Sequence, residues 1–329
     1  MADLTTNYMG LELSNPIVAA SSGLTGTIEG VLHCAQAGVG AIVLKSIFEE
    51  QIISEVEGLY PVDHQSLAHP EAYDYIKAYG RDHAVDRYLT LIEQSKAKTK
   101  LPIIASIHCE TAGAWTEFAA KVEDVGADAL ELNVYLPPTQ LVQSAADLER
   151  VYHDVVQVVK KTVKIPVSLK VGWHFTALAG FLSTLGQKVD ALVIFNRFQR
   201  MDIDIDKVAL ISGSASSKES ELQEILRWTS ILSGRISADL AATTGIHSGV
   251  GVIKALLAGA TAAQIATALY RHGFGHVSEM LNEVVDWMEA HGYNSVDEFR
   301  GILSRAKTNT PDAYERVQFM KLSVSTDPK

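Results

Sequence analysis

Cysteine is scarce in this chain. Cys34 and Cys109 are its two thiols in 329 residues, too few for a disulfide framework or an iron–sulfur cluster. Positive charge is also in deficit, since 28 Lys and Arg against 39 Asp and Glu leave a net charge of −11. That balance argues against nucleic acid or an anionic membrane surface as the main partner, while leaving room for a local basic pocket that takes a small anion. No apolar run is long enough to span a bilayer, and no secretory leader is recognisable. No Gly-x-Gly-x-x-Gly follows the first apolar run, which weakens a dinucleotide-binding reading. A cytoplasmic protein without a metal site is the expectation. What the chain does have is apolar material: 47% of residues are hydrophobic and 20% charged. A large core follows, and the length admits one α/β barrel or two ordinary domains.

Short apolar runs alternate with longer amphipathic ones. Strands are expected at 16–22, 40–46, 102–107, 129–134, 167–171, 191–196, 236–242 and 262–269. All are short and apolar, as strands buried on both faces should be. Ser144 is a candidate N-cap for a helix with Leu148, Val151, Tyr152, Val155, Val156 and Val159 at helical spacing. A second helix is expected over Ser248–Ala258, with Gly259 placed to end it. "AGVGAIVL", "VGADALEL" and "AGATAAQI" each read as a helix end, a glycine and a strand, and "QKVDALVIF" repeats this without the glycine. Eight such units predict a single-domain (β/α)8 TIM barrel over 1–329. A doubly wound open sheet is the runner-up. Insertions break the rhythm after the second strand (about 48–82) and the sixth (197–217), where barrel enzymes build their sites. A tail follows from about 308.

Four predicted strands end in a polar side chain: Lys45, Asn133, Lys170 and Asn196. In a closed barrel these ends converge on one rim. A single lysine in an apolar strand reads equally well as half of a structural ion pair. Two lysines and two amides at equivalent places point instead to an anionic ligand, and a flavin fits because its reduced form is anionic at N1. The segments 241–249 and 265–273 are small-residue loops that each lead into a predicted helix. Backbone N–H groups at such places bind phosphate, often after strands 7 and 8 of a barrel. Taken alone, Gly245 and Thr267 read as tight-turn residues.

With these residues placed, the chain resembles the dihydroorotate dehydrogenase family of FMN-dependent barrels, on its soluble class 1 side, over roughly residues 6–305. The resemblance is strongest in "TGIHSGVGVIKALLAGATAAQIATALYRHG" and "MEAHGYNSVDEFRGIL", and clear in "LSNPIVAASSG" and "GAIVLKS". It implies roles. Ala20, Ser21 and Gly23 lie along the flavin. Lys45 and Ser46 contact FMN beside the substrate. Asn133 contacts both, Lys170 lies near flavin N1, and Asn196 faces the substrate. Thr244 and Gly245 fall on the family's Gly-Gly phosphate pair, and Ala266 and Thr267 on its Gly-Thr pair. Two glycines are thus replaced. Backbone amides still donate, provided the φ and ψ of Thr244 and Ala266 are permitted.

The substrate half departs from the family. Soluble members read E-L-N-x-S-C-P-N, with the cysteine as general base and serine in some relatives. Here Leu136 holds the base position and Pro138 replaces the ring-binding asparagine. The N-S-M-G loop is absent, with "AHPEAYDY" (68–75) in its place. His108, Cys109, His69, Tyr73, His174 and Tyr135 are candidate replacements for the base, His108 first because a strand end fixes its direction. The resemblance implies an FMN oxidoreductase acting on a CH–CH bond of a small anionic substrate, dihydroorotate or a relative, as in pyrimidine biosynthesis. A homodimer without membrane association is expected, with an electron-transfer partner protein left open. The alternatives are a non-catalytic flavin-binding barrel acting as a redox or regulatory subunit, and a non-flavin barrel for a phosphorylated metabolite.

Overall fold

The computed structural model describes residues 2–48, 70–109, 112–136, 138–139, 141–197, 200–309 and 314, with the side chains of 70–83 and 112 excepted. Eight parallel strands close into a barrel: β3 (Ile17–Ala19), β4 (Ala41–Val43), β6 (Ile103–His108), β7 (Ala129–Asn133), β8 (Val167–Val171), β9 (Ala191–Ile194), β12 (Asp239–Thr243) and β13 (Ala262–Ile265), with β13 pairing back to β3. A short β5 (Ile47–Phe48) extends β6 at the rim. The open-sheet alternative fails at that closure. Each unit returns through a helix outside the barrel: α1 (Ile28–Ala37), α2 (Pro70–Lys98), α3 (Ala112–Asp124), α4 (Ala145–Thr162), α5 (Leu178–Leu185), α6 (Leu222–Leu232) and α7 (Gly249–Ala258). After β13 the chain continues through α8 (Thr267–His272) and α9 (His276–His291).

Local chemistry sets these boundaries. Ser144 caps α4, its Oγ accepting from the Asp147 N–H at 3.2 Å. Lys160 and Lys161 suit the negative end of the helix dipole. Ser248 caps α7 in the same way. Gly38, Gly126 and Gly259 take φ of 88°, 88° and 108°. The repeated glycine is thus a left-handed C-terminal stop, which a Cβ would strain. Val151 departs from expectation: it sits at the edge of the α4 apolar face and is exposed.

Three other expectations need correction. The last strand ends at Ile265, and the rest of the predicted 262–269 run turns into α8 at Thr267. Residues 236–238 precede β12 rather than belonging to it. The insertion expected over 48–82 gives way to α2 from Pro70, so its second half is the ordinary return helix; residues 49–69 lie outside the described residues, as does most of the tail. The sixth-strand insertion forms an antiparallel hairpin, β10 (Met201–Asp204) with β11 (Ala209–Ser212), whose Met201, Ile203, Leu210 and Ile211 are exposed.

One element was not expected. Residues Thr6–Tyr8 (β1) and Leu11–Leu13 (β2) form an antiparallel hairpin. Its Tyr8, Met9 and Leu13 pack against Val18, Ala41, Ala129, Ala191, Ala241 and Ala262 inside the barrel. Strand residues alternate faces, so these small side chains line the lower interior and leave room for the hairpin. The Met9 N–H donates to Asp239 Oδ2 at 2.8 Å, which pins it there.

Candidate functional site

Above the hairpin the barrel interior turns polar, by the same alternation. On β7, Ala129 is followed on the inner face by Glu131 and Asn133. On β8, Ser168 is followed by Lys170, and on β13, Ala262 by Gln264. Glu131 is fully buried. Its Oε2 accepts from Gln264 Nε2 at 2.8 Å, and its Oε1 lies 3.6 Å from Lys170 Nζ. Lys170 also donates to Gln264 Oε1 at 3.4 Å. Both lysine contacts are long, so the ammonium is only partly satisfied.

Along the rim, polar side chains join into a row. Asn196 Nδ2 donates to Asn133 Oδ1 at 2.7 Å, and Asn133 Nδ2 donates to Ser46 Oγ at 3.2 Å. Ser46 Oγ lies 2.7 Å from Ser106 Oγ and 3.0 Å from Ser21 Oγ. Ser46 N–H also donates to Ser21 Oγ at 2.8 Å. The Tyr88 hydroxyl ties down this strand, accepting from Ser106 N–H at 2.7 Å and donating to Ser106 O at 2.9 Å. Burial raises its pKa, so it stays a neutral donor. Lys45 stands apart. Its side chain is exposed and passes over Gly26, where an added Cβ would meet its Cδ at 3.1 Å.

A cavity of about 460 Å³ opens on this rim, lined by Ala20, Ser21, Lys170, Asn196, Gly245, Ala266 and Thr267. Gly23 lies beside it, where a Cβ would meet the hydroxyl of lining residue Tyr270 at 2.7 Å. Thr244, where the family pattern has glycine, takes φ 77°. That left-handed conformation is disfavoured for a β-branched residue. The Thr244 hydroxyl donates to Phe195 O at 3.1 Å, which offsets part of the strain. Gly245, at φ 81°, has no alternative: a Cβ would stand 2.5 Å from Leu222 N. Ala266 keeps φ −136°, so its replacement of glycine costs no left-handed strain. Ser217 also lines the cavity, its N–H donating to Thr267 Oγ1 at 3.2 Å and its Oγ lying 2.9 Å from His247 Nε2. Burial, then the Arg271 charge, lower the His247 pKa, so the ring there is neutral near pH 7.

The candidate bases fall in different places. His108 is buried between Phe48 and Trp115, its Nδ1 2.6 Å from Asn133 O. A carbonyl accepts only, so Nδ1 carries a proton; His108 is not among the residues that line the 460 Å³ cavity. Cys109 is buried and in no disulfide. His174 stacks on Trp173 and, with Tyr135, lines a neighbouring cavity of about 580 Å³ that shares Asn196, Arg197 and Thr244 with the first. Leu136, at the family's base position, lines a narrow cleft with Tyr152 and Phe175 and packs on the core. His69 and the side chain of Tyr73 lie outside the described residues.

Sequence reasoning missed several residues. Glu131 and Gln264 hold Lys170, Ser106 joins the serine row, and Ser217, Tyr270 and Arg197 line the cavity. Period-2 alternation in "LELNV" and "VSLKV" was the available signal for the first of these, because it puts Glu131 on the same inner face as Asn133. Among the described residues, no group of three His, Cys, Asp or Glu could hold a metal ion.

Fold and site together define a barrel with a polar cavity at its rim, lined by Lys170 and Asn196 and by the turns that follow β12 and β13. The family model for dihydroorotate dehydrogenase matches residues 3–288. The chain belongs to the dihydroorotate dehydrogenase family, a family of oxidoreductases. It is 29% identical over 315 residues to the catalytic subunit of dihydroorotate dehydrogenase B (NAD(+)) from Thermoplasma volcanium, covering 92% of this chain and 99% of that one. The protein of the same name from Methanocaldococcus jannaschii is 29% identical, over 87% of this chain and 94% of its own. The chloroplastic dihydropyrimidine dehydrogenase (NADP(+)) of Arabidopsis thaliana is 24% identical, over 95% and 80%.

Proposed function

We propose that the protein is an FMN-dependent oxidoreductase acting on a CH–CH bond of a small anionic, pyrimidine-like substrate, dihydroorotate or a close relative. The observation that carries this reading is the cavity itself. It is lined both by Gly245, Ala266 and Thr267, at the turns after β12 and β13, and by the buried, partly satisfied ammonium of Lys170. A phosphate suits the first and an electron-rich ring edge suits the second. Ala20, Ser21, Ser46 and Asn133 line the cavity or adjoin it.

FMN, when bound, supplies the hydride chemistry. The chain's own residues bind and orient. Lys170 supplies positive charge at the ring end. Asn133 and Asn196 fix each other's amides, leaving hydrogen-bonding capacity for a planar substrate. Lys45, exposed on the rim, meets the substrate's anionic group. His108, at the end of β6 with its Nδ1 2.6 Å from Asn133 O, is our candidate for the base. A positioned base contributes about 10²–10⁴-fold. Replacing His108 with Ala abolishes substrate-driven flavin reduction and leaves FMN binding intact; unchanged reduction removes His108 from the reaction.

The intact Asn196–Asn133–Ser46 row speaks against a purely cofactor-holding barrel, because holding FMN does not require the substrate-facing amide of Asn196. We place the protein in the cytoplasm, as a homodimer. The exposed apolar face of the β10–β11 hairpin is the surface that favours pairing. Among the described residues, no helix is long and apolar enough to cross a membrane. The relatives named as catalytic subunits favour an electron-transfer partner protein.

The deciding experiment is anaerobic mixing of FMN-saturated protein with dihydroorotate while the visible flavin absorbance is followed. Bleaching is expected. A tightly held flavin that stays oxidised assigns a different anionic substrate to the same site. Protein that takes up no FMN overturns the reading.

A further inference from the structure

We infer that Glu131 and Gln264 are positioning residues that set the direction and net charge of Lys170 at the cofactor pocket. This inference rests on the FMN reading above. Glu131 is fully buried on the inner face of β7, and among the described residues Lys170 is the cation that meets its charge. Gln264 bridges the two. Its amide nitrogen is committed to Glu131 Oε2 at 2.8 Å, so its oxygen is held toward Lys170 Nζ at 3.4 Å. An ammonium drawn fully onto a buried carboxylate would sit within about 2.7–2.9 Å of it. Here the distance is 3.6 Å, and Glu131 Oε1 has no hydrogen bond among the described residues. Gln264 therefore holds the lysine up, toward the cavity that both residues line. The charge beneath Lys170 also matters, since a carboxylate this close cancels much of the field that a flavin would feel.

Two substitutions separate this arrangement from mere packing, because they act in opposite directions. Glu131→Gln keeps the shape and the bond to Gln264 but uncovers the ammonium. Reduced, anionic flavin is then favoured over oxidised flavin. Gln264→Leu removes the bridge, lets Lys170 drop onto Glu131, and disfavours reduced flavin. The measurement is the midpoint potential of bound FMN, by equilibration with a reference dye, on wild type and both variants. A rise for Glu131→Gln and a fall for Gln264→Leu are expected, each about tenfold in the ratio of reduced to oxidised affinity, or about 30 mV for a two-electron couple. If Glu131→Gln does not fold, the sign of Gln264→Leu alone decides, and a potential equal to wild type or higher overturns the inference. Wild type that binds FMN, with both variants less stable but at the wild-type potential, makes the pair structural and overturns this inference alone. Wild type that takes up no FMN overturns the functional reading and this inference with it.

Discussion

The two arcs of the rim are built from different materials. The arc at β12 and β13 is made of small-residue turns, with conformation fixed by Gly245, by the left-handed Thr244 and by the turn into α8. The arc at β4, β6 and β7 presents side chains: Lys45, Ser46, His108 and Asn133. Substitution has opposite consequences in the two. By the resemblance Thr244 and Ala266 replace glycine, and every residue type but proline still offers an N–H. By the same resemblance Leu136 falls at the base position, and a hydrocarbon accepts no proton. A site made of backbone survives sequence drift that a site made of side chains does not.

The strongest way to break this contrast is Lys170→Met, which removes the buried ammonium on the cavity wall. It strands the buried carboxylate of Glu131, so a loss of about 3–5 kcal/mol is expected. Thermal unfolding without ligand should show it, along with weakened FMN uptake. A loss under about 1 kcal/mol would mean that water reaches Glu131. Next comes Leu136→Ala. If the base position has become part of the core, this half-buried leucine is worth about 1–2 kcal/mol of stability, and FMN affinity stays unchanged. A stable variant with altered affinity would return residue 136 to the site.

Thr244→Ala keeps the left-handed backbone and removes the hydroxyl bond to Phe195 O. A loss of about 1 kcal/mol is expected, read as a lower thermal midpoint, with FMN still bound. Abolished FMN binding would show that the cradle depends on a side chain after all. Glu279→Gln gives the smallest effect and a pH signature. Burial opposes the charge on His276, but the bond to His247 O and the Glu279 carboxylate outweigh it and raise the pKa. A raised pKa stabilises the fold fully below the unfolded histidine value of about 6.5 and is lost as pH rises through the folded value. The midpoint difference between wild type and variant should therefore be largest near pH 5.5 and shrink toward pH 8. It should stay under about 1 kcal/mol, since Glu279 is exposed and screened. A difference that does not vary with pH would remove the histidine from the explanation.

Much of the barrel was legible because its signals are local. Ser144, Ser248, Gly38, Gly126 and Gly259 act within a few residues of themselves, and their roles hold in the structure. The C-terminal strand residues were legible for a related reason, since a polar side chain closing an apolar run has few places to be. The hairpin at Thr6–Leu13 was not: its reason for existing is a space left by alanines on strands far along the chain. The bond between Glu131 and Gln264 was hidden similarly, since it joins partners 133 positions apart. Leu136 was read correctly as unable to accept a proton, but its packing against Tyr152 and Phe175 depended on where α4 comes to lie.

The hairpin under the barrel makes the interior a vessel with one mouth. Tyr8, Met9 and Leu13 seal its base, so water, protons and buffer ions reach Glu131, Gln264 and Lys170 from the cavity side. Whatever fills the cavity also corks the vessel. Exchange of the labile hydrogens on Gln264 and Lys170 is then timed by the coming and going of the occupant rather than by breathing of the barrel.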